Sequence, residues 1–198
     1  GPTGTLSLLK TTNCYGGMQT NSSGDVACGP ILTPEQFGGG TGVSDNATAF
    51  QALATACRSA GGCQVKLVCG GTYAYFPSVA PGTYVLFDFT GTTGVVFNGC
   101  GAKITSALNF ITNTTIVTGI QLENAFQVTI NDVWFGPVPG GVGLSNSLGA
   151  SNGSQLEVLG TVSFWGGGFN AILTAIEEAR IILAPNAAFD FLNAMSMT

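Results

Sequence analysis

Ten carboxylates are the residues of this chain best suited to acid–base work: Asp25, Glu35, Asp45, Asp88, Glu123, Asp132, Glu157, Glu177, Glu178 and Asp190. Hydrolysis of a glycosidic bond takes two such groups across a groove, about 5–5.5 Å apart for retention and about 6.5–9.5 Å for inversion. Glu123, Asp132, Glu157 and Glu177 are the set that a repeating strand architecture could carry onto neighbouring turns. Solvated charges at strand edges are the plainer reading of the same four residues. A polysaccharide lyase would want a Lys or Arg base, and Lys66, Lys103 and Arg180 match no lyase motif. His is absent, so a Ser nucleophile has no partner of the usual kind, and Ser44 reads as a turn residue ahead of a helix. Gly38–Gly42 lacks the strand and lysine of a phosphate-binding loop.

Aromatic side chains offer a different chemistry. Tyr73, Tyr75, Phe76 and Tyr84, with Trp134 and Trp165 further on, could present flat apolar faces with polar tips to a sugar ring. The Phe residues read more simply as core. Trp134 and Trp165 each lie beside an inward-looking aromatic, Phe135 and Phe164. Strand alternation therefore points both indoles outward, toward a sugar or another subunit.

Six cysteines stand at Cys14, Cys28, Cys57, Cys63, Cys69 and Cys100. Their spacing makes no paired Cys-x-x-Cys site, and without His zinc is not expected. No metal or cofactor is expected. Cys57 and Cys63 straddle a Gly-Gly helix end and form the best local disulfide pair; reduced, buried cysteines are the alternative. Charged residues make up only 8% of the 198, against a usual share of about 25%, and the net charge is −5. So few charges suit either a neutral Ser/Thr/Asn-rich surface or a long interface between identical subunits. The five Lys/Arg residues form no basic stripe, which argues against nucleic acid. No apolar run reaches the ~20 residues of a membrane helix, and the first residues given do not read as a basic leader with an apolar stretch. Asn21, Asn46, Asn113 and Asn152 each open an Asn-x-Ser/Thr sequon.

These groups need elements to place them. Residues 1–33 read as a lead-in and 34–198 as the ordered domain. Asp45 or Asn46 is the natural cap of a helix over about residues 46–60. Phe50, Leu53 and Cys57 form its apolar stripe, and Gly61-Gly62 ends it. Beyond the helix the spacing predicts short strands at Val65–Cys69, Thr72–Phe76, Thr83–Phe89, Val95–Phe97, Lys103–Thr105, Thr115–Leu122, Gln127–Phe135, Gln155–Phe164, Ala179–Leu183 and Ala188–Phe191. Asn98, Asn124 and Asn131 fall between apolar runs, where Asn tolerates a left-handed backbone. Gly136–Gly141 and Ser145–Ser154 read as loops. Leu122-Glu123-Asn124-Ala125 is echoed by Ile176-Glu177-Glu178-Ala179, an offset of 54 residues, or about two repeats of roughly 20–29 residues.

The stretch Phe37-Gly38, Gly42-Val43-Ser44-Asp45, Phe50-Gln51, Gly70-Gly71-Thr72, Tyr75-Phe76-Pro77 and Pro81-Gly82-Thr83-Tyr84 resembles the opening of the pectate-lyase-like superfamily, as in phage tailspike and tail-fibre proteins. It departs from that opening at Thr41 and Asn46, where Asp is usual, and inserts Ser78-Val79-Ala80 into the turn. The resemblance implies an all-β fold, a right-handed single-stranded parallel β-helix stoppered by the short N-terminal capping α-helix. Asp45, Phe50, Leu53 and Cys57 would then be structural cap residues.

The function that follows from the resemblance is a virion protein on a phage tail or head surface. It would be a homotrimer, in contact with other virion proteins and attaching to host surface polysaccharide. Nucleic-acid binding and membrane insertion are not expected. Two alternatives accompany it: a tail-borne or secreted polysaccharide depolymerase, glycosidase or lyase, and a non-enzymatic head-fibre or decoration protein. No catalytic set is assigned beyond the four acids, and binding falls to Trp134 and Trp165.

Overall fold

Apolar β-forming runs punctuated by Gly and Asn become strands, and the alanine-rich run after the glycine loop becomes a helix of 13 residues. A computed structural model describes residues 18–20, 26–76, 82–106, 115–137, 146–151, 155–165, 169–170, 180–183, 185 and 188–192. The strands are β1 Met18–Thr20, β2 Val26–Cys28, β3 Ile31–Leu32, β4 Gln64–Lys66, β5 Thr72–Tyr75, β6 Gly82–Asp88 and β7 Val96–Ser106. They continue as β8 Thr115–Glu123, β9 Val128–Pro137, β10 Asn146–Ser151, β11 Gln155–Trp165, β12 Phe169–Asn170, β13 Arg180–Leu183 and β14 Ala188–Leu192. A 3-10 turn, Pro34–Phe37, and helix α1, Ala47–Ser59, separate β3 from β4.

Two parallel sheets dominate. The larger has eight strands, in the order β13-β11-β9-β7-β4-β3 with β14 beside β11 and β5 beside β7. The smaller runs β12-β10-β8-β6. From β6 to β13 the chain alternates between them, so each parallel neighbour is reached by a crossover through the other sheet, as parallel pairing requires. In the lead-in, β1 and β2 form an antiparallel pair, while β3, also before Thr33, hydrogen-bonds into the large sheet.

The expectation of an all-β, right-handed single-stranded parallel β-helix is corrected. The described residues mix helix with parallel strands in separate sheets of eight and four, and no closed or solenoid β-helix is seen among them. The pairing does not repeat one strand per rung: β7 is shared between β4 and β5, and β11 between β13 and β14.

Helix α1 packs on β6, with Phe50 against Phe87, and its stripe of Phe50, Leu53 and Cys57 is fully buried. Gly61 turns the chain out of the helix in the left-handed region (φ 76°), and a disulfide joins Cys57 to Cys63 across that end. Its partner residues are six apart, so it adds only about 2 kcal/mol by chain-entropy reasoning. A second disulfide joins Cys69 to Cys100. Arg58 ion-pairs with Asp88 across the helix–sheet seam. Both side chains are about one-third exposed, so solvent screens the pair and it contributes little.

The start of α1 divides its work between two residues. Asp45 Oδ1 accepts from the Ala47 N–H and from the Phe76 N–H, both at 3.0 Å. Asn46 occupies the cap position, but its side chain does not cap. Fully buried, it accepts from the Gly40 N–H at 2.7 Å and donates to the carbonyls of Val43 (3.2 Å) and Ala74 (2.8 Å). Asn46 thus binds the glycine-rich loop and β5 to the helix start. The same burial closes its sequon to modification in the folded chain; Asn21, Asn113 and Asn152 lie outside the described residues. Nearby, the buried Tyr73 hydroxyl accepts from the Val68 N–H (2.9 Å) and donates to Glu35 Oε1 (3.0 Å). Burial foremost, then the Glu35 carboxylate, pushes this phenol up to about 12, against the opposing Val68 N–H bond.

Two outcomes follow from these buried polar groups. Asn46→Asp replaces a two-carbonyl donor with an acceptor-only carboxylate. It should cost about 2–4 kcal/mol in denaturant unfolding near neutral pH; an unchanged midpoint would contradict the assigned bonds. For Tyr73, the native phenol keeps its proton between pH 10 and about 12 while the unfolded chain loses it. Stability should therefore fall as pH rises from about 10, the loss levelling off near 12. Tyr73→Phe should remove that part of the slope, and ultraviolet titration of the wild type should show a late-ionising tyrosine that the Tyr73→Phe variant lacks.

Candidate functional site

Three neighbouring strands of the large sheet bend at the same level. Before the bend Asn98, Asn131 and Leu159 are in register; after it Ala102, Val133 and Val162 are. Between those points β7 has Gly99, Cys100 and Gly101, β9 has only Asp132, and β11 has Gly160 and Thr161. The corners turn through left-handed residues: Cys100 (φ 50°), Gly101 (71°), Asp132 (52°) and Gly160 (60°). Gly99 is required by close approach, since a Cβ there would stand 2.5 Å from both the Asp132 carbonyl oxygen and Val133 Cβ.

Because the corners differ in length, their outer surface is stepped. An open groove of about 370 Å³ lies on it, lined by Gly101, Lys103, Asp132, Val133, Trp134 and Thr161. Phe135 faces inward and is fully buried, while Trp134, one residue earlier, is half-buried against the groove. A Cβ on Gly136 would lie 2.3–2.8 Å from the six-membered ring of Trp134. The indole therefore rests on bare backbone at Gly136. Lys103 is in register with Trp134 on the adjacent strand, and its Nζ stands 6.0 Å from the ring centroid, at the outer limit of cation–π attraction. Lys103 makes no salt bridge among the described residues. Asp132 supplies an acceptor and exposed Thr161 a hydroxyl. An aromatic face beside a cation, a carboxylate and a hydroxyl can stack a sugar ring and hydrogen-bond its substituents.

The sequence-predicted residues scatter. Asp132 and Trp134 meet in the groove. Glu123 ends β8 in the smaller sheet, opposite Ser151. Glu157 lies in β11 in register with Thr129, not with Asp132. Glu177 lies outside the described residues, as does the side chain of Trp165, whose backbone pairs with Leu192. Asp132 is the one acid among the groove's described lining residues, so a pair of acids across a cleft is not formed there. The aromatic platform expected from Tyr73 and Tyr75 is also corrected: both are fully buried core. The left-handed positions shift too. Asn124 has φ 50°, but in β9 the turn falls on Asp132 rather than Asn131, and Asn98 is an ordinary strand residue.

Lys103 and Thr161 were not recognised as groove residues, yet a signal for them exists. The runs Gly101-Ala102-Lys103-Ile104, Asp132-Val133-Trp134-Phe135 and Thr161-Val162-Ser163-Phe164 align in the observed register. The first two alternate outward and inward, and all three carry an apolar fourth residue, a repeat finer than the 54-residue echo, one half of which lies outside the described residues.

No protein family, curated protein or solved structure matches this chain. The site therefore stands on its own geometry.

Gly136→Ala should displace the Trp134 indole. Tryptophan emission should shift and acrylamide quenching rise, with about 1–3 kcal/mol lost if the backbone rather than the ring gives way. Emission and stability both equal to wild type would mean that the ring does not lie on Gly136.

Proposed function

We propose that this chain is a non-enzymatic attachment domain of a phage virion. It binds a glycan of the host surface in the corner groove and works as a homotrimer among other virion proteins. The observation that carries the reading is the convergence of Trp134, Lys103, Asp132 and Thr161 in one open groove. Aromatic stacking combined with a few placed polar groups is how proteins hold sugars in shallow sites. The low charge of the chain supports extensive contact between like subunits. Two disulfides suit a protein that works outside a reducing cytosol. The β-helix architecture implied by the resemblance plays no part in this reading.

A glycan array, followed by titration of any hit, tests it. Trp134→Ala should weaken binding about tenfold or more, equivalent to about 1.4 kcal/mol, while melting stays cooperative. An array silent for the wild type would overturn attachment and leave a purely structural decoration role. New reducing ends or unsaturated uronate on incubation with the bound polysaccharide would overturn the non-enzymatic part. Light scattering should give a trimeric mass, and a clean monomer at micromolar concentration would remove that element.

A further inference from the structure

The first corner of the groove is held from outside the large sheet's bend. Cys100 adopts a left-handed backbone (φ 50°) between two glycines, a conformation that an L-residue avoids unless its surroundings impose it. Here the restraints come from one turn. The Cys100 sulfur is bonded to Cys69, and its carbonyl accepts from the Gly70 N–H at 2.9 Å. Gly101, the next residue, is groove wall, and a Cβ there would stand 3.9 Å from Asp132 Oδ2. Two residues on, Lys103 faces Trp134. The cross-link therefore lies one to three residues from two of the six residues that line the groove.

We propose that the Cys69–Cys100 disulfide is the positioning element of this groove and a reduction-sensitive latch on it. Opening the bond frees the Gly99–Gly101 corner, lets the Gly101 wall move relative to Asp132 and Trp134, and lowers ligand affinity without unfolding the chain. The two arms of β7 survive the change. Val96–Asn98 stays paired with β4 and β9, and Lys103–Ser106 with β5 and β9. The other described disulfide is sheltered: Cys57 and Cys63 are fully buried, whereas Cys69 is exposed and Cys100 half-buried. An added dithiol thus reaches the outer bond first. In the exchange, one thiolate of dithiothreitol attacks a sulfur of the bond and its second thiol closes a ring. Dithiothreitol leaves as the cyclic disulfide, and Cys69 and Cys100 together take two electrons and two protons as thiols.

The affinity part rests on the glycan reading above; the geometric part does not, and the experiment separates them. Folded protein is treated with dithiothreitol under native conditions and then alkylated. Mass spectrometry should find newly modified Cys69 and Cys100 but not Cys57 or Cys63. In a Trp165→Phe variant, where Trp134 is the remaining tryptophan, reduction should shift the emission and raise acrylamide quenching while the thermal transition stays cooperative. For the unaltered protein, any array glycan bound in the oxidised state should bind at least about tenfold more weakly after reduction. Cys69→Ser/Cys100→Ser should mimic the reduced state and no longer respond to dithiothreitol. Unchanged Trp134 emission and quenching with the outer pair demonstrably reduced would overturn the latch, as would loss of the cooperative transition. A Trp134 response in a protein that binds no glycan in either state would support the latch and sink the glycan reading alone.

Discussion

Phe87 sits where the helix and both sheets converge. Its ring centroid is 4.6 Å from that of Phe50 of α1, 5.0 Å from Phe97 and 6.4 Å from Phe135 of the large sheet, and 6.2 Å from Phe89 just past the end of its own strand. The contacts with Phe97 and Phe135 are edge-on, the arrangement that aromatic quadrupoles favour. Each such pair contributes roughly 0.5–1.5 kcal/mol beyond the apolar area it buries. Across the face between α1 and β6 the polar ties are the Arg58–Asp88 pair, screened by water, and an exposed bond from Gln51 Nε2 to the Val85 carbonyl (3.1 Å), while Asn46 holds only the helix start to β5. Mutual placement of the layers therefore depends on how these rings fit.

That fit reaches the surface through strand alternation. Ile104 and Phe135 point into the core and are fully buried. With a side-chain period of two, Lys103 and Trp134 must point the other way. A slip of one residue would exchange the two sets and bury a charge. The groove is thus the outer imprint of the core register. Its depth comes from the unequal corners of β7, β9 and β11. Gly99 lets the longest corner sit against the shortest, and Gly136 lets the indole lie flat on its own strand.

Several elements were legible because their signals are local. Expected helix bounds of 46–60 meet an observed helix of Ala47–Ser59. Most expected strands overlap observed ones, although Val95–Phe97 and Lys103–Thr105 prove to be two arms of one bent strand. The stretch Asn146–Ser151, expected as loop, is strand β10. Leu148 is its one large apolar residue, so it shows no apolar alternation; parallel pairing with β8 makes it a strand. The same limit explains Asn46. Its type and place suggest a helix cap, but a residue 28 positions away, Ala74, takes its amide instead.

What the sequence determined by itself is what neighbours in the chain decide: the extent of α1, the inward Phe135 and the outward Trp134. Tertiary structure alone decided which strands share a sheet, which residue carries each left-handed corner, and that Lys103, Asp132, Trp134 and Thr161 line one groove. The physical reason is separation along the chain. Lys103 and Trp134 are 31 residues apart and meet only because parallel pairing aligns two bent strands. Residue type and local spacing do not encode that register; it emerges when the whole core packs.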